Sequence, residues 1–566
     1  MKASDYIVEY LLKQDITDVF GYPGGMVTHL MDSFSKSSIN SHVTYHEQGA
    51  AFAACGYAQT TGKVGVAYAT SGPGATNLIT GICNAYFDSI PTLFITGQVN
   101  TFESKGELGV RQRGFQETDI VSVVKPVTKY AVRITDANKL RYHLDEAFHI
   151  AQEGRKGPVL LDIPMNIFRA EVDPDALEKF VPETSTLDTS FDALTEALAN
   201  SSRPVILAGS GIKTAGAVNL LNEVVSGLNI PVISTMLAVD AVKDSYGFIG
   251  AYGSRTANFI AAKSDLVIAL GARLDVRQIG ANRSAFAPGA KIVRVEIDKN
   301  ELSLKAHDDE IQINADVKDV LNAMLGAQTK DLTLWNMICD KIRDELAFID
   351  DRLPNKFVQS ISKVIPEGSI ITTDVGQNQV WVAQSFEVKK DQRIFFSGGH
   401  GAMGYSLPAA IGCALASGKE VYSFQGDGGI QMNIQELQTI ARENIPVKVI
   451  LFNNSSLGMI RHFQEMYFEN NYVQTVPEGG YTVPDFEAIA GAYKIPYKCV
   501  TAPEDVDGKL FDVEGPQFIE VKITEPTYVF PKLEFGKPNQ DQEPLLDRNK
   551  YDFIMALDEG NIKETL

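Results

Sequence analysis

Two short segments in the last third of the chain carry the residue types that bind a hard cation. The apolar run Val421–Phe424 leads into Gly426-Asp427-Gly428, and a second apolar run, Val447–Phe452, leads into Asn453-Asn454. Asp427 and Asn454 lie 27 residues apart, one β-α-β step. Strands joined by such a crossover lie side by side in a parallel sheet, and ligands of open α/β sheets collect at the carboxyl edge. Asp427 and Asn454 are therefore expected to converge as oxygen ligands, with the backbone carbonyl of Ser456 as a third. A small divalent cation that also holds a diphosphate takes such an oxygen-rich site. Gly426 and Gly428 let backbone approach phosphate oxygens. A Gly-Asp-Gly triplet alone marks an ordinary turn; the two flanking strands and the Asn pair favour the metal–diphosphate reading.

Such residues need a scaffold that presents strand ends. The chain has 566 residues, enough for about three or four domains of roughly 150 residues. Hydrophobic residues make up 44% and charged residues 22%, the balance of a globular protein. The 51 basic and 71 acidic residues give a net charge of −20 without a polybasic patch, which argues against nucleic acid as a partner. No 18-residue apolar run exists, so no membrane span is expected. Met1–Gln14 carries Asp5 and Glu9 and no apolar h-region, so a signal peptide is not expected and the expected address is cytoplasmic. The five cysteines form no CxxC and suggest neither a disulfide framework nor a zinc site.

Strand and helix patterns alternate throughout, which predicts an α/β protein of three doubly wound parallel-sheet domains. An N-terminal domain is expected over 1–168, with a helix behind a cap at Ser4, strands over Ile16–Phe20, Val64–Thr70 and Thr92–Thr96, and a helix over Ala75–Phe87. Its strands end in Gly21-Tyr22-Pro23-Gly24-Gly25 and Ser71-Gly72-Pro73-Gly74, turns that no helix could hold. Residues 170–188 read as an acidic linker. A central domain follows over 188–330, then a C-terminal domain over 354–530, and 531–566 reads as a polar surface tail. Glu47 follows strand-like Val43–His46 and precedes a helix of small residues, Ala50–Ala58; by itself it reads as a helix-start acid. The first and third domains share size and pattern, which hints at duplication.

These residues resemble the thiamine diphosphate enzymes, and more narrowly the catalytic subunit of acetolactate synthase. The resemblance spans residues 1 to about 530 and rests on Gly21–Gly25, His46–Ala51, Thr70–Asn77, Ile95–Val99, Gly271–Arg277, Gly398–Pro408 and Gly426–Gln464. It implies thiamine diphosphate, Mg2+ and FAD as cofactors. It implies that Glu47 hydrogen-bonds the cofactor's aminopyrimidine and promotes the tautomer that deprotonates the thiazolium, and that Met403 is the apolar wedge that folds the cofactor. The positions carried over for thiamine diphosphate are Tyr22, Pro23, Gly24, Asn77, Gln377, Gly401, Gly426, Asp427, Gly428, Gly429, Asn454, Leu457, Gly458 and Met459. The metal ligands are Asp427, Asn454 and Ser456. For FAD they are Gly209, Gly211, Thr235, Met236, Leu237, Gly250, Tyr252, Gly271, Arg273, Asp275, Arg277, Glu296 and Asp316, although Gly209-Ser210-Gly211 is not a GxGxxG. Family members place the glutamate and the metal motif on opposite sides of a subunit interface, so a homodimer or homotetramer is implied. A regulatory subunit is a feature of authentic acetolactate synthases.

The reaction branch is read from departures. The segment Gly114-Phe115-Gln116-Glu117-Thr118 lacks the histidines of simple decarboxylases, and Phe115 and Gln116 match the carboligating branch. A lysine that the family has after Asp162-Ile163-Pro164 is Met165 here, and a tryptophan that it has near the second-substrate pocket is Phe463. Similar departures occur in relatives that transfer a two-carbon unit to a ketone, notably a nucleotide-linked keto-sugar in branched-sugar biosynthesis. The expected reaction is decarboxylation of pyruvate and ligation to a second carbonyl compound of that kind. The alternative is the acetolactate synthase reaction itself. A silent binding subunit is disfavoured because Glu47, Asp427 and Asn454 are all present, and an FAD-dependent oxidase is a lesser alternative.

Overall fold

The computed structural model describes residues 1–182 and 187–560, so residues 183–186 of the expected linker and 561–566 of the expected tail lie outside the described residues. Three parallel sheets organise the chain. The first holds β1 (Asp18–Gly21), β2 (Asn40–Val43), β3 (Gly65–Ala69), β4 (Thr92–Gln98), β5 (Tyr130–Arg133) and β6 (Pro158–Pro164), in the order β2-β1-β3-β4-β6-β5. The second holds β7 (Pro204–Ala208), β8 (Val232–Ser234), β9 (Leu266–Leu270), β10 (Lys291–Val295) and β11 (Ile311–Ile313), in the order β11-β10-β9-β7-β8. The third holds β12 (Ile370–Thr373), β13 (Arg393–Phe396), β14 (Val421–Gly426), β15 (Val447–Asn453), β16 (Tyr497–Val500) and β17 (Gln517–Lys522), in the order β13-β12-β14-β15-β17-β16. Counted within each sheet, the first and third have one and the same strand order, which matches the duplication suggested by their sequence pattern.

The central strands β3, β4, β6, β7, β9 and β15 are buried along their whole length. Helices cover both faces of a parallel sheet, so such strands read as unbroken apolar runs. The edge strands β5, β11, β13 and β16 escape that signal; β16, for example, carries Lys498 and is half-exposed. In each sheet the chain changes direction beside its first strand. The switch points fall between β1 and β3, β7 and β9, and β12 and β14, where ligands of such sheets bind.

The first and third sheets are fused through two helices, Glu47–Thr61 and Ser406–Ser417. Both are rich in Ala and Gly and buried nearly all round, so neither shows an amphipathic stripe. Their backbones touch: a side chain at Gly412 would begin 1.9 Å from the carbonyl oxygen of Ala53, and one at Gly56 would begin 2.1 Å from that of Ala409. One apolar cluster, including Ala53, Tyr57, Leu407 and Ile411, spans both domains.

Several local expectations are corrected. Ser4 does not cap the first helix, Ala3–Lys13; the residue before the helix is Lys2, which makes no side-chain cap bond, and Ser4 is buried inside the helix and accepts a hydrogen bond from Ser33 at 2.9 Å. The strand before Glu47 is β2, ending at Val43, so Thr44–His46 form a turn and the helix begins at Glu47 itself. The helix expected over Ala75–Phe87 is two, Pro73–Asn77 and Ile79–Phe87. Within the expected linker, Val172 and Leu177 are buried against the first domain. Residues after 530 are no loose surface tail. Leu546, Ile554 and Leu557 join the core of the central domain, and helix Arg548–Ala556 packs on helix Arg255–Lys263. Arg255 fixes the approach to that helix by donating to the carbonyls of Gln542 at 2.9 Å and Pro544 at 2.7 Å. Polar composition concealed this because its few apolar residues are spaced for one helix face. Among the described residues no helix is long and apolar enough to cross a membrane.

Candidate functional site

The carboxyl edge of the third sheet opens into a cavity of about 690 Å³, within the range of small-molecule sites. β14 and β15 pair in parallel with Gly426 opposite Phe452, so the residues after each strand emerge together. Asp427 is 2% exposed, and burial pushes its carboxyl up to about 6, countered by a hydrogen bond from Tyr481 and by backbone N–H groups. Its Oδ1 accepts from the Tyr481 hydroxyl at 2.7 Å and its Oδ2 from the Asn454 N–H at 3.1 Å. Asn454 spends its side-chain nitrogen on Gln377 Oε1, 3.1 Å away, and Thr527 Oγ1, 2.5 Å away. Its oxygen is thereby turned toward Asp427. The single N–H of Ser456 lies 3.2 Å from Asn454 Oδ1 and 3.4 Å from Asp427 Oδ2, so the two oxygens converge.

The donor set suits a hard divalent cation: one buried carboxylate with, among the described residues, no basic side chain in ion pair with it, and one amide oxygen, with Ser456 in the same lining. Among the described residues no group of three or more His, Cys, Asp or Glu side chains is placed to hold a metal ion. The cradle is glycine-lined. A side chain at Gly428 would begin 2.5 Å from Leu457 and 3.3 Å from Met403 Cε. Gly401, Met403, Gly426–Gly429 and Leu457–Met459 all line the cavity, with Gln377 and Phe463.

Residues that sequence reading missed complete this site. Asp374, just after β12, is fully buried and accepts N–H groups of Gly404 at 3.0 Å and Tyr405 at 2.9 Å, which holds the loop bearing Met403. It also explains Gly429, where a side chain would begin 1.8 Å from Asp374 Oδ2. An acid directly after a strand at the switch point was a readable signal. Tyr481 and Thr527 gave none, because they reach the site from distant loops.

A second cluster sits on the carboxyl edge of the first sheet. Glu47, 8% exposed, begins its helix behind His46, whose Nδ1 accepts the Gln48 N–H at 3.0 Å. Asn77 Nδ2 donates to Glu47 Oε2 at 2.9 Å, and a side chain at Gly74 would begin 3.2 Å from Glu47 Oε1. The turn before Glu47 is held from the third domain, where the buried Glu436 accepts the Tyr45 N–H at 2.9 Å. Tyr22–Gly24 follows β1 nearby; a side chain at Gly24 would begin 2.3 Å from Thr70. Gln116, at φ 62°, packs against Gly72, and its neighbour Phe115 is 78% exposed. Among the described residues none of this first-domain set, nor Met165, lines the cavity around Asp427. Within one chain, then, the cavity around Asp427 is lined without Glu47.

The central sheet carries a third site at its switch point. Gly209 and Gly211 after β7 touch Gly271 after β9 so closely that a side chain at Gly211 would begin 2.7 Å from Gly271 Cα. A groove beside them is lined by Gly211, Leu237, Gly271, Arg273, Glu296 and Asp316, and it continues past Thr235, Met236, Tyr252, Asp275 and Arg277. Tyr252 and Arg277 also line the large cavity, so the groove leads to it. Gly250, at φ 108°, lies where a side chain would begin 2.2 Å from the Arg277 carbonyl oxygen. Glu296 is buried at the end of β10, and burial raises its carboxyl despite a backbone hydrogen bond. Asp275 already caps the short helix Val276–Ile279 and pairs with Arg273 at 2.9 Å, so its first task is to fix that arginine. Close backbone approach, an arginine and a strand-end acid fit a dinucleotide.

Comparison with known proteins matches three successive segments. Residues 1–123 match the N-terminal TPP binding domain of thiamine pyrophosphate enzymes, residues 191–324 their central domain, and residues 374–521 their C-terminal TPP binding domain. The chain is 35% identical over 557 residues to the acetolactate synthase isozyme 2 large subunit of Escherichia coli (strain K12), covering 96% of this chain and 99% of that protein. It is 36% identical over 554 residues to the acetolactate synthase large subunit of Lactococcus lactis subsp. lactis, covering 94% of each. It is 35% identical over 602 residues to a probable acetolactate synthase large subunit of Methanocaldococcus jannaschii, covering 100% of each.

Proposed function

Because the chain belongs to the acetolactate synthase-like family of thiamine pyrophosphate enzymes, we propose that it decarboxylates pyruvate and ligates the remaining two-carbon unit to a second carbonyl compound. The observation that carries this reading is the convergence of Asp427 and Asn454 oxygens beside Met403 in a glycine-lined cavity at the sheet's switch point. When bound, thiamine diphosphate supplies the nucleophilic carbon and the electron sink for both steps. Asp427, Asn454 and the Ser456 carbonyl would hold magnesium, and Gly426–Gly429 would admit the diphosphate. Met403, steadied by Asp374 through Gly404 and Tyr405, would support the coenzyme's bend. Glu47, fixed by Asn77 and by the Glu436-held turn, would hold a proton against the aminopyrimidine.

The absence of Glu47 from the lining of the cavity in one chain supports a site completed by a second copy, and hence a homodimer or a larger homo-oligomer. Exposed Phe115, with Gln116, would enter the neighbour's site and help to exclude water. FAD would occupy the central groove along Gly211, Gly271, Arg273 and Glu296; carboligation moves no net electrons, so its role would be structural. The free cysteines suit a reducing compartment, in keeping with a cytoplasmic enzyme.

For the acceptor, Met165 and Phe463 in place of a family lysine and tryptophan support a ketone other than a simple 2-oxo acid, such as a nucleotide-linked keto-sugar. The second reading, acetolactate formation, is favoured by the relatives, which are acetolactate synthase large subunits. Incubating the loaded enzyme with pyruvate and a panel of carbonyl acceptors separates them. The account predicts that a keto-sugar adduct forms faster than acetolactate. Acetolactate formed as fast as any other adduct would overturn the sugar assignment.

A further inference from the structure

The mouth of the Asp427 cavity lies between helix Gly458–Tyr467 and the segment 532–536, and both line it. Phe463, Met466 and Tyr467 fall three and four residues apart on the helix, so they share a face. Phe463 and Tyr467 are in ring contact at 4.7 Å and both are about half-exposed. The opposing segment is pinned by its backbone. Lys532 donates its N–H to the Glu543 carbonyl at 2.9 Å and accepts from the Glu543 N–H at 2.8 Å, and Leu533 donates to the Ala251 carbonyl at 2.7 Å. The Lys532 side chain is thus offered to the mouth from a fixed base.

Its ammonium is poorly satisfied there. Among the described residues its one hydrogen bond is to the thioether of Met466, at 2.9 Å, and it has no ion pair. An ammonium carries three donors, and a thioether is a weak acceptor. A half-buried cation in that state is a site for an anion. Burial, opposed by the charge of Glu534, lowers its pKa, as expected of a cation short of partners. Arg277 lines the same cavity over the ring of Tyr252, at 6.0 Å. The mouth therefore combines two cations with aromatic faces. The cation missing at Met165 has a counterpart that comes from the C-terminal segment instead.

Resting on the carboligase reading above, we propose that Lys532 binds an oxyanion of the acceptor substrate, and so selects acceptors that carry a negatively charged group, a carboxylate or a phosphate, over neutral ones. Lys532 is a specificity-determining residue here, since it stands at the mouth and not at the metal motif.

The test compares the wild-type holoenzyme with Lys532→Met and Lys532→Arg. Calorimetric titration uses two probes, acetate for the carboxylate source and uridine diphosphate for the phosphate source. Carboligation kinetics use pyruvate as donor, with a neutral aldehyde and an anionic ketone as acceptors. The expected result is that Lys532→Met weakens one probe's binding by about tenfold and raises KM for the anionic acceptor by a similar factor, with a smaller effect on the neutral aldehyde, while Lys532→Arg restores much of both. Loss confined to acetate assigns a carboxylate acceptor, and loss confined to uridine diphosphate assigns a phosphorylated one. Equal probe binding by wild type and Lys532→Met, or an equal KM rise for neutral and anionic acceptors, overturns the proposal. Failure of the parent reading is seen separately, as absence of CO2 release from pyruvate by the wild-type holoenzyme.

Discussion

Glu47 is held by three independent contacts: Asn77 on its carboxylate, His46 at the helix start, and Glu436 on the turn before it. Such restraint suits a group that must meet one ring nitrogen of a coenzyme. Glu47→Gln keeps size and shape and removes the proton-holding oxygen. Turnover should fall by about 100-fold or more, while thiamine diphosphate binding, read by calorimetry, stays close to wild type. Unchanged turnover would remove Glu47 from the chemistry. At this scale the sequence was most informative where chemistry and chain order coincide. Asp427 and Asn454 lie one crossover apart, and a parallel sheet makes neighbours of their strand ends. Tyr481, Thr527 and Lys532 were not legible, because nothing local in a loop residue says which strand end it folds back upon.

The contact between helices Glu47–Thr61 and Ser406–Ser417 depends on the absence of side chains. Gly412 meets the Ala53 carbonyl with no room for a methyl group. Gly412→Val should therefore force the helices apart and destabilise the protein by about 1–3 kcal/mol. The thermal unfolding midpoint should fall by several degrees, and Gly227→Ala, inside helix Val218–Leu228 with open space around it, serves as control for a contact-free glycine. A midpoint for Gly412→Val equal to that of the control would show that the helices do not rely on this contact. Because the first helix carries Glu47 at its start, such spreading should also lower turnover. The same helices show the limit of periodicity: elements buried on every side display no stripe, and their partners cannot be named from pattern alone. Edge strands such as β16 fail for the opposite reason, since half-exposed residues dilute the apolar run.

Domains one and three are also clasped by charge. His42 on β2 lies between Asp18 Oδ1, at 2.9 Å, and Glu443 Oε2, at 2.6 Å, the latter from the third domain. Arg442 pairs with Glu443 at 2.7 Å, while Asn40 and Thr17 donate to Asp18. Burial disfavours the imidazolium, but the two carboxylates outweigh it and raise the His42 pKa to about 9. A group raised on folding contributes its full stability below its unfolded value, roughly 6.5, and loses it as pH climbs through about 9. Asp18 and Glu443 are both held low despite burial, so their contribution is lost on the acid side. The stability gap between wild type and His42→Gln should be widest near pH 6 and should narrow as pH rises from there to about 9. A gap independent of pH would contradict the charged clasp. At the scale of the assembly, the absence of Glu47 from the lining of the Asp427 cavity within one chain predicts complementation. Mixing inactive Glu47→Gln and Asp427→Asn chains, with subunit exchange, should restore roughly a quarter of wild-type activity, because each mixed dimer regains one intact site. No recovery after proven exchange would place both groups in the same chain's site. The central claim is tested most directly by titrating thiamine diphosphate into the purified protein with and without magnesium. The account predicts saturable binding that requires magnesium and is lost in Asp427→Ala; binding that ignores both the metal and that substitution, or no binding at all, would contradict it.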